Sequence, residues 1–281
     1  MITQINKPPV TTRDSGSLLS STDLMSREQT TPSTHTTETP PPPGGHIDQL
    51  DDLAALAVML DNQAGAIAAI RDQLPAIAAA SEKMLARLQR SDAARIIYAG
   101  AGCSIRLGVQ DGVELLPTFN WPVSRLAYMI AGGSGALTLS VENAEDDTAS
   151  AADQAEELQL TPDDTLIGLA ASGSTPFTCK AIAAGNDAGA LTIGIANNPD
   201  TALLHAAQCP ILLHTGAEAV AGSTRLKAGT AQKICLNLIS TLTMTRLGKV
   251  RHGLMVDMVA GNDKLRQRQQ RILEELKNQH D

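Results

Sequence analysis

The apolar positions change their period along the chain. From Ile47 onward Leu50, Leu53, Leu56, Val58 and Leu60, then Ile67, Ile70, Leu74, Ile77, Met84, Leu85 and Leu88, recur at helical spacing. That pattern predicts two or three helices over residues 47–90, with Pro75 marking a break or a helix start. After Arg90-Ser91-Asp92 short aliphatic runs alternate with helical stretches. Strands are expected near residues 95–99, 125–130, 165–169, 191–195 and 209–213, and helices over 105–115, 148–158, 176–187, 201–207 and 227–247. Strands buried on both faces read as such continuous aliphatic runs. Strand and helix in alternation, joined by right-handed crossovers, build an open parallel sheet with helices on both faces. The expected fold class is α/β: a three-layer αβα sandwich around a central parallel sheet of about five strands, preceded by helices.

Residues 1–45 lack this patterning. They are rich in Thr, Ser and Pro, end in Pro40-Pro41-Pro42-Pro43-Gly44-Gly45, and hold too few apolar groups to offset the entropy of ordering them, so a disordered extension is expected. Residues 46–281 are then one domain, including the helices of 47–90 and a C-terminal helix near 265–276. Composition adds limits. Aromatics are 2% of the chain against 43% hydrophobic residues overall, so Ala, Leu, Ile and Val must build the core. The net charge of −8 argues against nucleic-acid or anionic-membrane partners, while leaving room for a local cationic pocket. Cys103, Cys179, Cys209 and Cys235 have no C-x-x-C spacing and the histidines form no ligand pair, so no disulfide framework and no structural metal is expected. No apolar run of roughly 18 residues or hydrophobic leader is apparent, which makes the cytoplasm the expected location.

The chemistry concentrates where strands are expected to hand over to helices, since ligands of open α/β sheets bind at the carboxyl ends of the strands. Gly100-Ala101-Gly102-Cys103-Ser104 makes a tight turn from strand to helix, leaving N–H groups and a dipole that favour an anion such as phosphate. Its spacing does not fit a dinucleotide fingerprint. A second turn, Ser172-Gly173-Ser174-Thr175-Pro176, offers hydroxyls before a helix that begins with proline. A third, Gly222-Ser223-Thr224-Arg225-Leu226-Lys227, puts two cations at a helix start. Cations are unfavourable there unless something anionic is bound or nearby.

The motifs that carry this chemistry resemble, in order along residues 95–266, those of the N-acetylmuramic acid 6-phosphate etherases, bacterial proteins with a sugar isomerase (SIS) domain. The stretches are residues 100–109 (GAGCSIRLGV), 114–120 (ELLPTFN), 130–134 (IAGGS), 142–148 (ENAEDDT), 170–177 (AASGSTPF), 222–234 (GSTRLKAGTAQKI) and 254–266 (LMVDMVAGNDKLR), with a weaker extension to Thr37-Glu38. The third-loop motif is the most specific. The resemblance implies a cytoplasmic lyase on an SIS-type fold that releases D-lactate from N-acetylmuramic acid 6-phosphate by β-elimination and hydration, giving N-acetylglucosamine 6-phosphate. It also implies no organic cofactor, no metal, and a homodimer with a sugar phosphate as its small-molecule partner.

By position in the motifs, Glu114 falls where the family has its proton donor, and Glu145 where it has its second catalytic glutamate, the base that takes the C2 proton. Leu115, Leu116, Pro117 and Phe119 offer Glu114 an apolar setting suited to a carboxyl acid. Glu145 lies in an acidic run with Glu142, Asp146 and Asp147, and only the motif distinguishes it. Gly102, Cys103, Ser104, Ser172, Gly173, Ser174, Thr175, Ser223, Thr224 and Lys227 are the expected substrate and phosphate contacts. The chain departs from the family pattern at Cys103-Ser104-Ile105-Arg106, where Ile105 replaces a glycine and is expected to add bulk near the ligand, and at Ser174, which removes a cation. A non-catalytic sugar-phosphate-binding regulator and an aldose–ketose isomerase remain the rival readings. A geometric problem also stands: a continuous helix from Ser104 would carry Glu114 about 15 Å away. Either that helix breaks near Gly108 or Gly112, or Glu114 serves the site of a neighbouring subunit.

Overall fold

A computed structural model describes residues 35–260 and 263–278. Most of the stretch read as a disordered extension lies outside the described residues. Its described end is anchored: Thr36–Glu38 form a single 3-10 turn with Thr37 buried.

Five parallel strands, β1 (Ile96–Gly100), β2 (Leu126–Ile130), β3 (Thr165–Ala170), β4 (Leu191–Ala196) and β5 (Cys209–Leu212), form the central sheet in the order β2-β1-β3-β4-β5. The helices are α1 (Asp52–Arg71), α2 (Leu74–Leu88), α3 (Gly102–Val113), α4 (Leu115–Phe119), α5 (Thr148–Leu158), α6 (Pro176–Asp187), α7 (Ala202–Ala206), α8 (Lys227–Arg246) and α9 (Asp263–Asn278). Pro75 sits in the first turn of α2, where its missing N–H costs nothing. One aliphatic core joins Ile70, Ile77 and Met84 of α1 and α2 to Ile105 of α3, Cys235 and Ile239 of α8, and the sheet residues Ile96, Tyr98, Ile167, Ile193 and Ile211. The opposite face packs Ala151 of α5, Phe177 and Ile182 of α6 and Leu203 of α7 on Ile97, Ala99, Met129 and Leu166. The pleat of each strand thus feeds two cores, which makes the three layers.

Chain order places β1 between β2 and β3, so the winding of the sheet reverses beside β1. Open sheets offer a crevice at such a reversal, outside the carboxyl ends of the strands. Here the crevice lies between the turn after β1 and the turn after β3.

Three expectations are revised. Helix α3 runs unbroken through Gly108 and Gly112. These glycines are contact points: a Cβ on Gly112 would come within 2.5 Å of the Tyr128 hydroxyl and 3.0 Å of the Tyr98 ring. Their role is to let α3 lie close on the stacked tyrosines. Second, α1 is long and apolar enough to reach membrane-span length. Its centre carries Asp61-Asn62-Gln63, and Asn62 donates to the Ala217 carbonyl while Gln63 accepts from Thr230 of α8. These bonds dock α1 on the domain by its polar triplet. Third, a short hairpin, β6 (Val250–Arg251) and β7 (Leu254–Met255), turns through His252 and Gly253, both at positive φ. The two-residue turn has the geometry that hairpins favour, and the strands are too short to show a period in the sequence.

Candidate active site

The crevice opens into a cavity of about 610 Å³. The turn after β1 contributes Gly102, Cys103 and Ser104, and the turn after β3 contributes Ser172, Ser174, Thr175 and Pro176. Gly102 takes the positive φ, at 53°, that the strand-to-helix turn requires. Ile105 follows as an ordinary helical residue, fully buried in the core, so it adds no bulk to the cavity. Neither α3 nor α6 has a side chain bonded to its first N–H groups: the N-caps are Ala101 and an unengaged Thr175. Ser172 accepts from the Ser174 N–H at 3.2 Å and lies 3.4 Å from the Thr175 hydroxyl, which organises this turn as a group of hydroxyls facing the cavity. Two helix starts therefore meet the cavity with their positive ends open.

The same cavity also has acidic lining. Glu145 and Asp146 reach it from a 3-10 turn, Ala144–Asp146, just before α5. Asp147, next in line, is occupied as the cap of α5, accepting from the Ser150 N–H at 2.9 Å. Glu145 also borders a smaller cavity of about 250 Å³ with Arg106. The Arg106 guanidinium donates to the carbonyls of Ala136 and Leu139, fixing the loop that carries Glu142 and Glu145. Burial pushes the Cys103 thiol up, against the opposing pull of Arg106 and Arg225, so it stands as a neutral thiol in the cavity lining.

Several expected contacts lie elsewhere. Lys227 is buried, its ammonium donates to the Ala217 carbonyl at 2.6 Å, and it does not line the cavity. The anion that its helix start calls for belongs to the protein: Glu218, itself buried, accepts from the backbone N–H groups of Lys227 at 3.0 Å and Ala228 at 2.8 Å. Burial also pulls the Lys227 ammonium below its ordinary value, with Glu218 opposing. Of the third loop, Thr224 and Gly222 reach the cavity and Ser223 does not. Gly173 is buried backbone, its N–H on the Ala170 carbonyl and its carbonyl accepting from the Leu203 N–H. Glu114 sits at the junction of α3 and α4, outside the cavity and exposed. Leu115 and Phe119 turn into the core instead of enclosing its carboxylate.

Three residues that shape this region were not among the expected contacts. Glu218 could have been sought from the misplaced cations, which demand a nearby carboxylate. Glu38 and Thr37 line the cavity from the N-terminal side, and their only advance signal was the weak motif extension at Thr37-Glu38. Among the described residues no group of three or more His, Cys, Asp or Glu side chains is placed to hold a metal.

Comparison with known proteins agrees with the fold. The model of the glucokinase regulatory protein N-terminal SIS domain matches residues 76–186. A solved Escherichia coli CFT073 protein, c3406, superposes with a TM-score of 0.52 at 10% identity, over 73% of this chain and 97% of that one, which shows the shared fold. The N-acetylmuramic acid 6-phosphate etherase of Deinococcus radiodurans is 47% identical over 238 residues, covering 85% of this chain and 77% of the relative. The chain belongs to the N-acetylmuramic acid 6-phosphate etherase family. The etherase of Streptomyces coelicolor, 46% identical over 251 residues, spans 89% of this chain and 79% of its own length. Both alignments extend over more of this etherase-family chain than the seven motif stretches alone.

Proposed function

We propose that this protein is a carbon–oxygen lyase that cleaves the D-lactyl ether of N-acetylmuramic acid 6-phosphate, giving N-acetylglucosamine 6-phosphate and D-lactate in the recycling of cell-wall amino sugars. The observation that carries the reading is a cavity lined both by hydroxyls with two open helix starts and by carboxylates, in a chain 47% identical to such an etherase. A phosphate suits the first group. A carboxylate poised at a sugar suits the second, because the C2 proton beside the aldehyde of the opened sugar is acidic enough for a glutamate to remove.

In the proposed sequence Glu145 takes the C2 proton. The electron pair forms the C2–C3 double bond as the C3–O bond breaks, and the departing lactate oxygen receives a proton from Glu114. Water then adds at C3 and a proton returns to C2. Phosphorylated sugars are held inside cells by their charge, so we assign the reaction to the cytoplasm.

Glu114 defines the assembly in this proposal. With α3 unbroken over Gly102–Val113, it stands about 18 Å along the helix from the turn that faces the cavity. A sugar phosphate cannot bridge that distance. The remaining arrangement is a homodimer in which Glu114 completes the neighbour's cavity. Leu53, Leu56, Leu60 and Ile67 of α1 leave apolar side chains more than half exposed, a surface suited to such a contact.

The test uses solvent deuterium. Glu114→Gln should abolish lactate release yet retain exchange of the C2 proton, whereas Glu145→Gln should lose both. Full activity in either variant removes that residue from the mechanism. Mixing Glu114→Gln with the double variant Ser104→Ala/Ser172→Ala should restore about a quarter of wild-type activity at random subunit exchange, because only one of the two hybrid sites is intact. If hybrids form and remain inactive, Glu114 does not complete the neighbour's cavity and the assembly proposal fails.

A second reading, a sugar-phosphate-binding regulator, draws support from the glucokinase regulatory protein domain that matches residues 76–186. It predicts binding without any lactate release.

A further inference from the structure

The N-terminal segment that lines the cavity is held chiefly by one side chain. Asn198 is completely buried and uses its full hydrogen-bonding capacity. Its Oδ1 accepts from the Thr36 hydroxyl at 3.1 Å and from the Thr37 N–H at 3.3 Å. Its Nδ2 donates to the Thr37 hydroxyl and to the Ala171 carbonyl, each at 3.0 Å. The Thr37 carbonyl in turn accepts from the Gly222 N–H at 2.9 Å. Three elements, the turn after β3, the loop after β4 and the third loop, are thereby tied to two threonines. Holding a chain segment costs roughly 1–2 kcal/mol per residue in backbone entropy, so this anchoring needs a return.

What this segment delivers to the cavity is Glu38. Thr37 points down into the network and the next residue lines the cavity. The Glu38 carboxylate rests on Gly222, where a Cβ would come within 2.7 Å of Oε2. Among the described residues its carboxylate has no hydrogen-bond or ion-pair partner, although Asn198 and Gly222 fix the backbone of Thr37 just before it. An ionised carboxylate only accepts hydrogen bonds. The hydroxyls of Ser104, Ser172, Ser174 and Thr175, a group suited to phosphate, line the same cavity.

We propose that Glu38 is a sugar-binding residue: its carboxylate accepts hydrogen bonds from hydroxyls at the end of the substrate remote from the phosphate, and Asn198 positions it through Thr37. The like charge of Glu38 also keeps the phosphate from lying against the third loop, so the substrate has one orientation. This rests on the sugar-phosphate reading above but not on the ether cleavage. Glu38 takes no part in the two proton transfers assigned to Glu114 and Glu145.

The experiment titrates wild type, Glu38→Gln, Glu38→Asp and Asn198→Ala with N-acetylglucosamine 6-phosphate and, separately, with inorganic phosphate. A hydrogen bond to a charged acceptor corresponds to roughly 10–100-fold in affinity. Glu38→Gln should lose that factor for the sugar phosphate while inorganic phosphate binds as before, and Glu38→Asp should recover part of it. Asn198→Ala should show the same selective loss if it folds; Glu38 is exposed, so its variants carry the test regardless. Unchanged sugar-phosphate affinity in Glu38→Gln, or equal losses for both ligands, overturns the proposal. A wild type that binds the sugar phosphate through Glu38 yet releases no lactate would overturn the ether-cleavage reading alone.

Discussion

Three of the helices that follow strands of the sheet, α3, α6 and α8, differ in what meets their positive ends. At α8 the protein supplies the anion: Glu218 is buried and caps the N–H groups of Lys227 and Ala228. At α3 and α6 no side chain bonds the first turn, and both open into the same cavity. A helix start is a ligand site only where the chain has left it unfilled. The third loop carries the most specific motif of the chain, yet its Lys227 stands beside an internal carboxylate, while the hydroxyl turns line the cavity.

The largest effect expected from this contrast is on stability. Glu218→Ala removes a cap from α8 and leaves the Lys227 ammonium buried beside two unpaired N–H groups, which should cost about 3 kcal/mol. Denaturant unfolding measures it. Sugar-phosphate affinity of the folded variant should stay within about twofold of wild type, since α8 holds no ligand. A large affinity loss with little loss of stability would reverse the roles of the two kinds of helix start.

Next in size are the open starts. Ser104→Ala and Ser172→Ala should each weaken sugar-phosphate binding on the order of 10–100-fold. Ser172 also bonds the Ser174 N–H, so its removal should cost about 1 kcal/mol of stability. If both variants bind as wild type does, these hydroxyls face the cavity without holding phosphate.

A third carboxylate extends the comparison to the other end of the sheet. Asp164 is buried and takes Arg95 as its partner at 2.7 Å, together with the N–H and hydroxyl of Thr161. Burial works to raise its pKa, but the hydrogen bonds from Arg95 and Thr161 and the Arg95 charge outweigh it, and the net shift is downward. A carboxyl held lower in the folded state than in the unfolded one adds stability above the unfolded value, about 3.9, and loses it as pH falls through the lower folded value. Unfolding free energy should therefore decline below about pH 4, and Asp164→Asn should flatten that decline while lowering stability at neutral pH. An unchanged acid limb in the variant would remove Asp164 from it.

The smallest expected effect concerns Cys103. Its thiol is pushed up by burial, so at about pH 8 it should react with iodoacetamide more slowly than a free cysteine. Rapid alkylation would mean that Arg106 and Arg225 dominate the charge in this corner of the cavity.

How much of this was legible beforehand follows from where each signal is stored. Strand and helix alternation is a local period, and the β1, β3 and β4 runs were readable to within a residue or two because both faces of each are buried. The glycine and hydroxyl turns were readable for the same reason, as a turn announces itself through residue type. What the sequence could not display was the partner of each charge. Glu218 lies nine residues from Lys227, in a segment with no regular period, and its burial is a property of the packed loop. Glu38 is brought to the cavity by Asn198, 161 positions from Thr37. Gly108 and Gly112 read as possible breaks until Tyr98 and Tyr128 are seen stacked beside them.

The most direct test of the account is the rate of D-lactate release by the wild-type protein from N-acetylmuramic acid 6-phosphate and from the same sugar without its phosphate. With the phosphate held at the α3 and α6 starts by two or more charge-assisted contacts, kcat/KM should fall by at least about 100-fold when the phosphate is absent. Release of lactate from both sugars at equal kcat/KM, or from neither, would contradict it.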